Sequence, residues 1–250
     1  EGDKYFYTRN VGLQDQSVLY VADAVDAVDA IYYHLLGQDQ TTDEHIYDIT
    51  DHPRRDPYGA VTEDGQYLVI NVWEGYNENG VYYLDLHDPN AEVVRLLDTW
   101  DALYYFAGND GSTFYFQTNL DAPLSRVIAI DIEQPQPDNW REIIPAIEQA
   151  LQSVALVGGH FIASYLKDAH AHVVVYDKVG RQVREVDFPD VGSAEGFWGK
   201  ADDPETFYSF ASFTSPPAIY RYDVQTGKSE PFATAQMQGG LEPGDFETAQ

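Results

Sequence analysis

Four aspartates recur at a spacing of 46 residues: Asp85, Asp131, Asp177 and Asp223. Each closes a short run of aromatic or β-branched residues, namely VYYLD (81–85), VIAID (127–131), VVVYD (173–177) and IYRYD (219–223). Such residues suit the pleated, half-buried surface of a β-strand. A β-rich unit repeating at roughly 40–50 residues is the signature of a propeller or a related array. One unit cannot bury its apolar face alone, so neighbouring units must stack. The period therefore predicts an all-β fold, a β-propeller of four-stranded antiparallel blades.

The strands can be read unit by unit. The second unit offers YGAVT (58–62), QYLVINVW (66–73), GVYYLDL (80–86) and AEVVRLL (91–97). Its first two strands meet at Glu63-Asp64-Gly65, and an Asp-Gly pair between alternating apolar runs signals a hairpin because glycine tolerates positive φ. The third unit runs from LYYFAG (103–108) through STFYFQT (112–118) and SRVIAIDI (125–132) to REII (141–144). The fourth holds SVALVG (153–158), HFIASYL (160–166), AHVVVYD (171–177) and QVREVDF (182–188). The fifth holds GFWGK (196–200), ETFYSFAS (205–212), AIYRYDV (218–224) and SEPFATA (229–235), punctuated by Gly192, Gly196 and an Asp202-Asp203-Pro204 turn. One stretch reads as helical: Asn139 is placed to cap a short turn through Pro145 to Leu151.

The first 50 residues are less regular, yet DKYFYTRN (3–10), SVLYVADA (17–24), AIYYHLLG (30–37) and EHIYDIT (44–50) supply four further strands. The expectation is about five blades within 1–238, roughly 1–50, 57–100, 101–146, 151–189 and 193–236. A Gly/Pro/Asp-rich tail at 239–250 reads as a linker.

Composition narrows the partners. The formal net charge is −28, from 42 acidic and 14 basic residues. Such a surface repels phosphate backbones and anionic membranes, so neither nucleic acid nor a membrane is an expected partner. It favours cationic ligands in an acidic cavity, or serves simply as a solvated surface. No apolar run approaches the ~20 residues of a membrane span. With no cysteine in the chain, thiolate chemistry and disulfides are excluded. No cofactor is called for. The chain begins at Glu1, which reads as a cut or processed end and leaves a signal peptide open.

Three constellations invite a chemical reading. Asp168-Ala169-His170-Ala171-His172 places His170 and His172 on one face of a strand, as two imidazole ligands would require. The segment also sits where a hairpin turn is expected, so these are weak metal candidates. The four repeated aspartates would form an acidic ring if they all faced a channel. They would instead be turn acceptors if each took hydrogen bonds from the backbone just beyond it, the reading favoured here because packed carboxylates raise one another's pKa. A nucleophile elbow needs Gly-x-Ser-x-Gly on a strand-to-helix turn. Gly192-Ser193-Ala194-Glu195-Gly196 misses by one place and falls in a β-turn context, so no catalytic residue is expected.

Several stretches together carry a resemblance. GLQDQSVLYV (12–21), PYGAVTEDGQYLVINVWEG (57–75), SFASFTSPPAIYRYD (209–223) and EPGDFETAQ (242–250) resemble the propeller domain of the prolyl oligopeptidase family of serine peptidases. The resemblance covers the chain except the 22–30 junction. It implies a seven-bladed propeller that covers an α/β-hydrolase site cleaving after proline and keeps large folded proteins out. The implied partners are that hydrolase domain and short peptides, and the implied compartment is the cytoplasm. By the family pattern about seven strands are missing between SVLYV and IYYHLL, which implies a ring shortened by nearly two blades. An open ring would invite self-association.

The resulting expectation is a noncatalytic gating or substrate-filter domain, excised or engineered as a blade-deleted scaffold without activity of its own. The competing expectation is a five-bladed glycosidase using channel carboxylates. By the family pattern, the loop Trp73 to Gly80 faces the hydrolase site, with Trp73 and Tyr76 standing where animal members typically carry an arginine and a cysteine. These two residues and Asp56 are the candidate substrate-facing positions.

Overall fold

A computed structural model describes residues 30–234 apart from 36, 50, 51 and 53, together with the backbone strands at 5–9 and 18–22. Among the described residues, twenty β-strands and two single 3₁₀ turns account for the regular structure. The chain divides into two compact units, Glu1–Tyr104 and Tyr105–Gln250.

In the first unit, β1 (Tyr5–Arg9) pairs antiparallel with β2 (Val18–Ala22). β3 (Ala30–Tyr33) likewise pairs with β4 (Glu44–Asp48). The four expected strands of the first fifty residues are thus present, paired among the described residues as two two-stranded ladders. The junction between them, at 23–29, lies outside the described residues. So does the tail from 235 onward.

A complete blade comes next: β5 (Asp56–Val61), β6 (Tyr67–Trp73), β7 (Asn79–Asp85) and β8 (Val94–Leu97), hydrogen-bonded in that order. The predicted turn at 63–65 forms. Gly65 adopts φ +71, and Asp64 accepts from the Thr62 hydroxyl at 2.6 Å and the Gln66 amide at 3.0 Å. β6 is buried along most of its length. Leu68, Ile70, Val72 and Tyr82 of this blade share a core with Ile31 and Ile49 of the preceding hairpin.

The second unit holds three blades. The first comprises β9 (Tyr104–Asp110), β10 (Thr113–Thr118), β11 (Arg126–Asp131) and β12 (Arg141–Ile144). The next comprises β13 (Ala150–Val157), β14 (His160–Lys167), β15 (His170–Asp177) and β16 (Gln182–Glu185). The last comprises β17 (Gly192–Trp198), β18 (Glu205–Ser212), β19 (Ala218–Asp223) and β20 (Ser229–Thr234). Every blade pairs its strands in sequence order.

The middle blade shows why a continuous apolar run belongs here. Side chains alternate across a strand, and each face of this blade meets a neighbour. Phe161, Ala163, Val174 and Tyr176 pack with Tyr115, Val127 and Ile144 of the blade before. Ile162, Val173 and Val175 pack with Phe197, Tyr208 and Tyr222 of the blade after. The VVVY run of 173–176 therefore has no polar face to offer, which is the packing that stacked units require.

Two local expectations are corrected. The stretch from Pro145 to Leu151 is not helical. A 3₁₀ turn lies upstream at Pro137–Asn139, with Asn139 inside it rather than capping the segment beyond. Ala150 and Leu151 already belong to β13. Seven residues opened by proline are too few to repay helix nucleation, and the Leu151 amide donates instead to the Leu124 carbonyl at 2.9 Å. The second correction concerns Gly192 and Gly196, which lie within β17 rather than at turns. A Cβ at Gly192 would stand 2.1 Å from the Ala211 carbonyl oxygen, so glycine permits the close pairing with β18. Ser193 is therefore a strand residue paired with Ala211, not a residue on a sharp turn.

Candidate substrate-facing site on the second blade

The ladder of the β5–β8 blade brings two of the three candidates together. Asp56 opens β5 and is paired with Trp73, which closes β6; Trp73 is in turn paired with Asn79, which opens β7. These residues stand side by side at one end of the blade. Tyr76 sits apart on the connecting loop and is 93% exposed. The loop reverses at Gly75, with φ +79. Its far end is anchored by Asn79, a buried amide that mimics a backbone partner. Asn79 Nδ2 donates to the Tyr104 carbonyl at 2.9 Å, and its Oδ1 accepts from the Tyr104 amide at 2.7 Å. A buried polar side chain is stable here because donor and acceptor are both satisfied.

Sequence reasoning missed the charged part of this site. Arg55 Nε donates to Glu74 Oε2 at 3.0 Å, and Arg54 lies 3.0 Å from Glu74 Oε1. The Glu74 carboxylate thus bridges two guanidinium groups, and the hydrogen bond from Arg55 holds its pKa below the usual carboxylate range. Arg55 also lies over the Trp100 ring, 3.8 Å from its centroid, a cation–π contact. The Arg55 side chain is 15% exposed and that of Arg54 is 87% exposed. The result is one fixed cation and one that reaches into solvent, next in sequence to Asp56. The available signal was the Arg54-Arg55 dipeptide itself, two adjacent cations in a chain with only 14 basic residues.

The repeated aspartates are turn residues. Asp85 accepts from the His87 amide at 2.9 Å, and Asp131 from the Glu133 amide at 3.1 Å. Asp177 accepts from the amides of Val179 and Arg181, and Asp223 from those of Gln225 and Thr226. These bonds to the charged form hold the carboxyls of Asp177 and Asp223 below the ordinary range, with the Arg181 and Thr226 amides leading respectively. The 46-residue period thus marks the connection from each third strand to the fourth, not a ring of ligands.

His172 has a polar neighbour at each ring nitrogen. His172 Nδ1 lies 2.5 Å from Gln149 Oε1, and its Nε2 is 3.2 Å from a carboxylate oxygen of Glu185. His170 begins β15 opposite Lys167, after a tight turn in which Asp168 and Ala169 have φ +46 and +63. Among the described residues no three potential ligands gather into a metal site. Likewise, no described helix is long and apolar enough to cross a membrane.

Stacked four-stranded antiparallel blades, each turned by an aspartate after its third strand, define a β-propeller. The model for the prolyl oligopeptidase N-terminal beta-propeller domain matches residues 23–235, and the chain belongs to that family. It is 33% identical over 238 residues to a prolyl endopeptidase of Elizabethkingia miricola, covering 95% of this chain and 33% of the relative. It is 35% identical over 208 residues to the prolyl endopeptidase of Elizabethkingia meningoseptica, covering 83% and 29%. Among solved structures, one from a study of two prolyl endopeptidases and inter-domain dynamics superposes with a TM-score of 0.79 at 28% identity, covering 97% of this chain and 42% of that one. Prolyl oligopeptidase B of Galerina marginata bound to a 25mer macrocyclization substrate superposes with a TM-score of 0.78 at 27% identity, covering 87% and 31%. The chain spans about a third of the length of the curated relatives it matches. It corresponds to their noncatalytic propeller domain.

Proposed function

We propose that this propeller acts as the gate of a prolyl-oligopeptidase-type serine peptidase, covering the hydrolase site and filtering peptides by size and charge. Family membership is the single observation that carries the reading. The sequence supports it, since no Gly-x-Ser-x-Gly elbow occurs anywhere in the chain. In this reading the end of the second blade meets the peptide. Tyr76 and Trp73 offer aromatic surface. Arg54 offers a cation for a carbonyl or carboxylate, and Asp56 an acceptor for an amide. The net charge of −28 favours entry of cationic over anionic peptides.

The purified chain is expected to release no chromophore from a prolyl p-nitroanilide substrate above the buffer rate. Cleavage that stays with the chain through successive columns, together with labelling of this chain by a serine-reactive probe, would overturn the proposal.

A further inference from the structure

A concavity lies within the Tyr105–Gln250 unit. It is a cleft of about 400 Å³ formed by β13, the β14–β15 hairpin and β17. Ser153, Ser164, His170, Ser193, Glu195 and Trp198 line it. Two features set it apart from an ordinary groove between strands. Trp198 is 65% exposed although it ends a strand whose preceding residue, Phe197, is 1% exposed. Moreover, the backbone is bent to achieve this arrangement. The β17–β18 register shifts between Gly196 and Trp198, where Gly196 has φ +118 and Phe197 has φ +66.

A phenylalanine in the left-handed region is a costly conformation that persists only when its surroundings impose it. Here Phe197 stacks on Tyr208, with centroids 4.6 Å apart, inside the core shared by the last two blades. Glycine at 196 is required as well, because a Cβ there would meet the Phe207 carbonyl oxygen at 2.7 Å. A bulge of this kind re-aims the residue after it. It turns Phe197 into the core and leaves Trp198 exposed, and Trp198 and Glu195 both line the cleft.

We infer that this cleft is a second peptide subsite, one that takes a positively charged group of a peptide, either an α-ammonium or a Lys or Arg side chain. An indole face and a carboxylate attract a cation by complementary means, the ring quadrupole and direct charge. The three serine hydroxyls supply donors and acceptors for the peptide's amides. This inference rests on the reading of the protein as a peptide filter, and it names which peptides the filter holds.

The test is fluorescence anisotropy of short C-terminally labelled peptides with the purified chain at low salt and neutral pH. One peptide carries a free N-terminus and a lysine. A second is N-acetylated but keeps the lysine, a third has a free N-terminus and no lysine, and a fourth is acetylated and neutral. Cationic peptides are expected to bind, the neutral one not. Loss of binding on acetylation assigns the α-ammonium, and loss on removal of lysine assigns the side chain. Glu195→Gln and Trp198→Ala should each weaken binding by roughly five- to tenfold. Trp198→Leu, which keeps apolar bulk but no ring, should weaken it similarly while leaving the thermal midpoint in place. Glu92→Gln removes the same charge from an exposed position outside the cleft and should change nothing. Equal binding of cationic and neutral peptides, or equal loss from Glu92→Gln and Glu195→Gln, would overturn the inference. The filter reading is judged separately by the absence of peptide cleavage, so either can fail without the other.

Discussion

Gly180→Ala is expected to destabilise the Tyr105–Gln250 unit by about 3 kcal/mol or more, although it adds only one methyl group. Two independent costs combine. Gly180 lies in the turn after Asp177 with φ +82, a region that alanine enters only with strain. The added Cβ would also stand 1.8 Å from the Ile143 carbonyl oxygen and 2.8 Å from its carbon. Those atoms belong to β12 of the neighbouring blade, so relief demands that one blade shift against the other or that the turn unfold. The Gly180 amide donates to the Asp177 carbonyl at 2.9 Å, and a shifted turn would strain that bond as well. The thermal midpoint should fall by roughly 10 °C for a unit of this size. Gly111→Ala is the comparison. Gly111 has φ +57, but a Cβ there would meet nothing within 4 Å, so only the backbone cost remains, about 1 kcal/mol. Equal losses from the two substitutions in urea unfolding would show that contact between blades adds nothing.

Phe161→Ala should cost about 3–5 kcal/mol, the range for emptying a fully packed aromatic site. Phe161 is fully buried on β14 and meets Tyr115 of the preceding blade edge-on, with centroids 4.9 Å apart. Its neighbours in the core include Leu156, Ala163 and Val174 of its own blade and Val127 and Ile144 of the blade before. The void would therefore open between two sheets rather than within one. Chemical unfolding should report the loss in the midpoint. Phe161→Leu, which refills most of the volume, should recover more than half of it. A loss below about 1 kcal/mol for Phe161→Ala would mean that the two faces do not depend on each other.

Legibility in the sequence depended on the range of the interactions involved. The strands and their grouping were readable because alternation and turn chemistry are local. The VVVY run, the Asp64-Gly65 turn and the aspartate after each third strand are each decided within a few residues. The Pro145–Leu151 error arose because local capping logic could not see the Leu124 carbonyl that accepts from the Leu151 amide. The glycines of β17 mislead for a similar reason. A glycine that permits close approach to Ala211 looks, in sequence alone, like a glycine that makes a turn. At the candidate site the pairing of Asp56 with Trp73 is a consequence of hairpin register. The Arg55 stack on Trp100 and its bond to Glu74 link residues 45 and 19 positions apart, and no period or spacing encodes them.

Blades are stable because each covers its neighbour's face. Amide hydrogen exchange within Tyr105–Gln250 tests this most directly, since protection tracks the free energy of local opening. β14 and β15 lie at the centre of the blade that is covered on both sides, whereas most of β16 and β20 is exposed. Exchange should be slowest in β14 and β15, with β16 and β20 exchanging well ahead of them. Uniform exchange across all four strands, or faster exchange in β14 and β15 than in β20, would contradict mutual covering as the source of stability.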